Sequence, residues 1–282
     1  MLSSRIRRFL RLRQIFSGLA GLGFGLLLSV LSNWLSEKWI GLLPWIAGVA
    51  VLMGLISLIL SLREPFDIDV AIRSPLTIRS PHEAKLYARR GFVGFVPLYT
   101  PKPDTEAEKL SPEERLEATR ALDFDRLQIE ESNLWPTIQA ILAHSSQLEH
   151  CWLLATRGRS VPGSLPYAKV LAEYLRQRGM NCKFHYGDDY VIPLDDDALV
   201  LSKTFQQVRR VFREAIKLGI PPRDMVADIT TGVRSMTLGM VLACLNGDQD
   251  IEFVGTHYDE MGRPVGDLFP LIFSFEPILR EG

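Results

Sequence analysis

The densest chemistry in the chain lies in DITTGVRSM, residues 228–236. Just before it, residues 225–229 form a short apolar run that reads as a buried strand, with Asp228 near its end. Thr230-Thr231-Gly232 reads as a tight turn, and Met236, Met240 and Ala243 then recur at helical spacing. A strand end, a turn and a helix start therefore converge on two hydroxyls, a glycine and the cation Arg234. The first turn of a helix presents unpaired N–H groups and the positive end of the helix dipole. Gly232 lets backbone approach a ligand closely, Thr230 or Thr231 can cap the helix or hold a phosphate, and Arg234 supplies a planar fork of donors. Together these favour an anionic ligand. The plain alternative is an ordinary capped helix with Arg234 on the surface.

The elements around this corner alternate strand and helix from residue 148 to 282. CWLLAT, 151–156, is a continuous apolar run that ends in the polar, basic loop Thr156-Arg157-Gly158-Arg159-Ser160. An amphipathic helix over 164–178 turns Leu165, Ala168, Leu171, Ala172 and Leu175 inward. A strand over 182–186 and an acidic loop over 188–197 follow. The helix over 198–218 carries Leu201, Phe205, Val208, Val211, Phe212 and Ile216 as its expected buried stripe. After the 225–229 strand and its helix come a strand over 251–255 and then strands or a hairpin over 267–277, an antiparallel edge being one form these could take. Such alternation predicts an α/β, Rossmann-like parallel sheet with helices on both faces. Ligands in these sheets bind at the carboxyl ends of strands, at a switch point. The loops after Thr156 and after Ile229 are both such ends and are expected to face one another.

Other chemistries are less well supported. Lys+Arg is 32 and Asp+Glu is 33, so no net charge marks a nucleic-acid surface. Cys151, Cys182 and Cys244 sit in apolar surroundings at spacings that fit neither a metal site nor a disulfide framework. The first polar loop lacks G-x-G-x-x-G, which counts against NAD or FAD. His257, Tyr258, Asp259 and Glu260 read as a polar hairpin before Gly262, and His185 as structural. The run 195–197 reads as a helix cap rather than a calcium loop. No catalytic residue, metal ligand or cofactor is assigned.

At the other end, residues 15–35 and 39–62 are uncharged, apolar and each about the 20 residues needed to cross a bilayer. Only Ser36-Glu37-Lys38 separates them, so residues 1–63 are expected to form a transmembrane helical hairpin. Arg5, Arg7, Arg8, Arg11 and Arg13 before the first span, and Arg63 after the second, place both ends in the cytoplasm at an inner membrane. Trp34, Trp39 and Trp45 form an aromatic belt at the far interface. Gly21, Gly25, Ser29 and Asn33 on the first span, and Ala50, Gly54 and Ser57 on the second, make small-residue faces. Such faces pack a hairpin on itself or make a seam between several hairpins. Neither span holds a charge, which argues against a charged filter or a proton relay.

Residues 64–147 read as a juxtamembrane connector. Pro65, Pro75, Pro81, Pro97, Pro101 and Pro103 interrupt short alternating stretches in its first part. These suggest strands and turns at the membrane surface, with Lys85, Arg89 and Arg90 near anionic headgroups, or else a small extra lobe of the soluble domain. Ser111-Pro112-Glu113-Glu114 is a helix start, and a second short helix is expected over 133–144 with Pro136 in its first turn.

The stretch 228–236, closing a strand and opening a helix, resembles the signature of the CRISPR-associated Rossmann-fold (CARF) sensor domain. The resemblance covers about residues 148–282, with Thr231 where many relatives have glycine and Arg234 where many have lysine. It implies a homodimeric sensor of cyclic oligoadenylates, cyclic tetra-adenylate first among them, the second messengers of type III CRISPR antiviral defence. By carry-over, Asp228, Thr230, Thr231, Gly232 and Arg234 belong to the ligand site, with Thr156, Arg157 and Ser160 contributing from what reads as the first-strand loop. The membrane hairpin then becomes the output, opening or rearranging when the ring is bound so that the membrane loses potential or integrity. A sensor that slowly cleaves its own ring, and a tethered sensor of another cyclic nucleotide, remain as alternatives.

Overall fold

A computed structural model describes residues 68–72, 76–77, 83, 86–158, 163–245 and 248–279. The two apolar spans, with Gly21, Gly25, Ser29, Asn33, Ala50, Gly54 and Ser57, lie outside these residues, as do Lys85 and Ser160. No helix among the described residues is long and apolar enough to cross a membrane. The chain divides into two compact units, and residues 69–278 form the larger one.

That unit runs β1 (Ile68–Ile72), β2 (Leu76–Thr77), β3 (Gly91–Phe95), α1 (Pro112–Ala121), α2 (Phe124–Leu127), α3 (Trp135–Ala143), β4 (His150–Arg157), α4 (Leu165–Gln177), β5 (Lys183–His185), β6 (Val191–Pro193), α5 (Asp197–Lys217), β7 (Met225–Asp228), α6 (Arg234–Cys244), β8 (Asp250–Tyr258) and β9 (Pro264–Leu279). One sheet joins the strands in the order β1-β9-β8-β7-β3-β4-β5, with β2 also on β9 and β6 on β4. β8, β7, β3, β4, β5 and β6 pair in parallel, and β9 is antiparallel to β8. This is a mostly parallel, Rossmann-like α/β sheet.

The middle strand of its parallel part is β3, which lies in the stretch read as a juxtamembrane connector or an extra lobe of the soluble domain. Residues 91–147 are therefore part of the sheet domain, and the loop after Thr156 follows the second parallel strand, not the first. The cause is visible in the packing of GFVGF. A Cβ on Gly91 would come within 2.1 Å of Met225 Sδ, and one on Gly94 within 2.7 Å of the Phe92 ring. Both glycines are places where neighbouring side chains cross a fully buried strand. Arg89 and Arg90 also differ from expectation. Arg89 pairs with Asp250 and Arg90 with Glu149, so both guanidinium groups anchor the start of β3.

Helices cover both faces. Phe92, Cys151, Leu153 and Val226 pack against α3, α4 and Ala118 of α1 on one side. Val93, Trp152, Leu154, Ala227 and Ile251 pack against α5 and α6 on the other. Helix starts follow local chemistry. Ser111 and Glu114 form a reciprocal capping box on α1, and Asp196 accepts from the N–H groups of Ala198 and Leu199 at α5. The buried face of α5 is turned from the expected stripe. Val200, Thr204, Val208, Val211, Phe212 and Ala215 face inward, while Phe205 and Ile216 are exposed. Close packing on α6 sets this face: a Cβ on Gly239 would lie 2.9 Å from Thr204 Cβ and 2.8 Å from the Leu201 carbonyl. Thr204 fits that approach where a larger side chain does not.

Candidate anion site at the switch point

The chain leaves β3 for β4 and β5 on one flank and returns to β7 on the other. The switch point thus lies between the carboxyl ends of β3 and β7. The turn over residues 229–233 sits there. Ile229 N–H still donates to the Glu252 carbonyl at 2.8 Å, so the turn begins one residue past the strand. Asp228 is completely buried, and its Oδ1 accepts from both the N–H (3.0 Å) and the hydroxyl of Thr230. The Thr230 hydroxyl in turn accepts from Val254 N–H at 2.8 Å. Thr231 donates its hydroxyl to the Phe95 carbonyl at 2.9 Å, tying the turn to the end of β3. Gly232 has φ of +103°, and a Cβ there would meet the Phe95 ring at 2.8 Å. A side chain would be excluded both by backbone conformation and by space.

These contacts divide the expected site residues by role. Asp228, Thr230 and Thr231 brace the turn from beneath, with both hydroxyl hydrogens committed inside the protein. Gly232, Val233 and Arg234 are exposed at the mouth. α6 has Val233 at its N-cap and receives no side-chain cap. Its first turn carries no acid, although Ser235 Oγ donates to Asp197 Oδ1 at 3.0 Å beside it. The Arg234 guanidinium makes no hydrogen bond or ion pair with any described residue. A helix start without a side-chain cap, beside an arginine with no partner among the described residues, is an electropositive corner that an anion can fill.

The second polar loop is arranged differently. β3 lies between β7 and β4, so the end of β4 at Thr156 and Arg157 is separated from the end of β7 by one strand. Thr156 is nearly buried and exchanges hydrogen bonds with Ser164: Ser164 Oγ is 2.9 Å from Thr156 N and 3.1 Å from its hydroxyl. It fastens the start of α4. Arg157 is exposed and ion-paired with Asp188. Residues 96–100 leave the end of β3, and Leu98 among them is 60% exposed. The sequence reads as short strands and turns over this stretch, placed outside the sheet, so the segment is not among the expected site residues.

Two further residues reach the turn from below. Glu252 of β8 is fully buried and is the register partner of Asp228. His144, just past α3, is also fully buried, with Nε2 2.9 Å from Glu252 Oε2. Burial first, and then the charge of Glu252, push the Asp228 carboxyl up to about 8, against the two Thr230 hydrogen bonds. An acid at the end of one apolar strand and another inside the apolar start of the next is the signal that could have revealed the pair.

Comparison with protein-family models finds no match, and comparison with curated proteins finds none either.

Proposed function

We propose that this chain is a membrane-anchored sensor of cyclic oligoadenylate, cyclic tetra-adenylate being the favoured ring, acting in type III CRISPR antiviral defence. The observation that carries the reading is the corner at Gly232–Arg234. A turn braced by Asp228, Thr230 and Thr231 places a helix start without a side-chain cap, and the exposed Arg234, at the switch point of a Rossmann-like sheet. Phosphodiester oxygens suit such a corner, because N–H donors and a planar fork match them in charge and shape. A symmetric ring would be held by two copies of the turn, one from each subunit of a homodimer. Thr230 is a poor candidate for ring cleavage, because its hydroxyl is engaged as both donor and acceptor.

The apolar spans over 15–35 and 39–62 supply the output in this reading. The ring must bind the active arrangement of the dimer more tightly than the resting one, and that difference does the work on the hairpin. Two assays on the full chain test the proposal. Titration in detergent with cyclic tri-, tetra- and hexa-adenylate should give binding that NAD does not. Supplying the bound ring to membranes carrying the chain should collapse a dye-reported potential; an unchanged potential over a wide dose range rules out the effector role.

A further inference from the structure

Beneath the turn lies a chain of buried polar groups that the binding reading does not use. Asp228 and Glu252 are register partners on the parallel strands β7 and β8, on the α3 side of the sheet, and neither is exposed at all. Gly94 of β3, the partner of Asp228 on its other side, leaves them room; a Cβ there would come within 3.3 Å of Asp228 Cβ. Each acid has one oxygen accounted for. Asp228 Oδ1 holds Thr230, and Glu252 Oε2 faces His144. The other two oxygens, Asp228 Oδ2 and Glu252 Oε1, are buried without a hydrogen-bond partner.

His144 fixes the direction of its own bond. Its Nδ1 accepts from Arg89 N–H at 3.1 Å, so the ring hydrogen sits on Nε2 and is donated to Glu252. The imidazole is then neutral and brings no charge to balance two carboxylates. Around Asp228 the titratable groups are Glu252 from β8, His144 from the end of α3 and Cys151 from β4. Burial holds the Cys151 thiol well above its usual range, so it too is neutral. The Arg89 guanidinium is turned away to Asp250. Two adjacent, fully buried anions without a cation are very costly, whereas one proton between them gives each orphaned oxygen a partner.

We infer that Asp228 and Glu252 share a single proton, and that this acid pair, with His144 orienting Glu252, positions the Thr230–Gly232 turn for the anion. The positioning half of the inference rests on the anion-site reading above; the shared proton does not. Losing the proton adds a second buried negative charge under the helix start and pushes the two strand ends apart. Both effects weaken anion binding. Glu252 and His144 are positioning residues, since neither reaches the surface.

Glu252→Gln separates the ideas, because its amide can donate to Asp228 Oδ2 and accept from His144 without any proton between the acids. Infrared difference spectra of the full chain near neutral pH should show the carbonyl stretch of a protonated carboxyl in the parent protein. That band should be gone in Glu252→Gln and in Asp228→Asn. Affinity for cyclic tetra-adenylate should fall roughly tenfold between pH 7 and pH 9 in the parent protein and stay level in Glu252→Gln. Should Glu252→Gln fail to fold, the Asp228→Asn spectrum still tests the proton. Absence of the band in the parent protein overturns the shared proton. A band with pH-independent affinity overturns the positioning role. A band lost in the variants, with no ring bound at any pH, supports the proton and refutes the ligand, so the two failures are distinct.

Discussion

The hydroxyl of Thr231 donates to the carbonyl of Phe95, 2.9 Å away, and so bridges the two strands between which the sheet reverses its order. One side chain thereby fixes how far the turn stands from the central strand. Thr231→Val keeps the shape and removes the donor. It should cost about 1 kcal/mol of stability, since the Phe95 carbonyl loses a partner. Ring affinity should fall as well, and Thr231→Ser should restore both. Thermal unfolding and titration of the three proteins check this.

Gly232→Ala tests the same geometry by a different route. The substitution forces an alanine to φ near +103° and drives its Cβ into the Phe95 ring. A loss of about 1–3 kcal/mol is expected by denaturant unfolding. Adding Phe95→Leu should recover only part of it, because space is relieved and backbone strain is not.

Arg234→Ala should leave stability within about 0.5 kcal/mol of the parent protein, as the guanidinium has no described partner to lose. Its effect should fall on binding. Removing a charged donor from an anion costs about 1.5–3 kcal/mol, so affinity should drop roughly 10- to 150-fold, and less at high salt. By contrast, Arg157→Ala breaks an exposed pair with Asp188 and should change stability little.

Stability should also depend on pH in two opposed windows. Asp228 goes from an ordinary 3.8 to about 8 in the fold, so the folded chain holds a proton that the unfolded chain has lost. Its contribution makes stability fall as pH rises from about 4 to about 8. His185 stacks on Trp152 and is pushed down by burial from 6.5 to about 4, so the unfolded chain holds the extra proton there. Its contribution makes stability rise between about 4 and 6.5. The two oppose each other below 6.5, and above it the fall due to Asp228 stands alone. Melting temperatures across pH 4–9 should therefore show a decline between 6.5 and 8 that Asp228→Asn removes.

Much of this molecule can be read from local pattern. The 225–244 corner is legible because a continuous apolar run gives way to helical spacing at a turn with a glycine. The reciprocal cap of Ser111 and Glu114 is legible for the same reason: its partners are three residues apart. What hides is whatever depends on a distant neighbour. Gly91 and Gly94 show nothing of their role locally; they make room for Met225, Phe92 and Asp228. Thr204 looks too polar for a buried stripe until Gly239 of α6 lies against it. Thr156 looks like a ligand group until Ser164 is found holding it. Glu252 has no local reason to be buried; its reasons are His144, 108 residues away, and Asp228 on the next strand.

The most direct measurement is a titration of the purified full chain with cyclic tetra-adenylate, run beside Arg234→Ala under one buffer and salt. Saturable binding is expected, at one ring per two chains, with the variant weakened at least about tenfold. Equal affinity in the two proteins, or no binding of any cyclic adenylate to the intact chain, would contradict the assignment of the corner at Gly232–Arg234 as its seat.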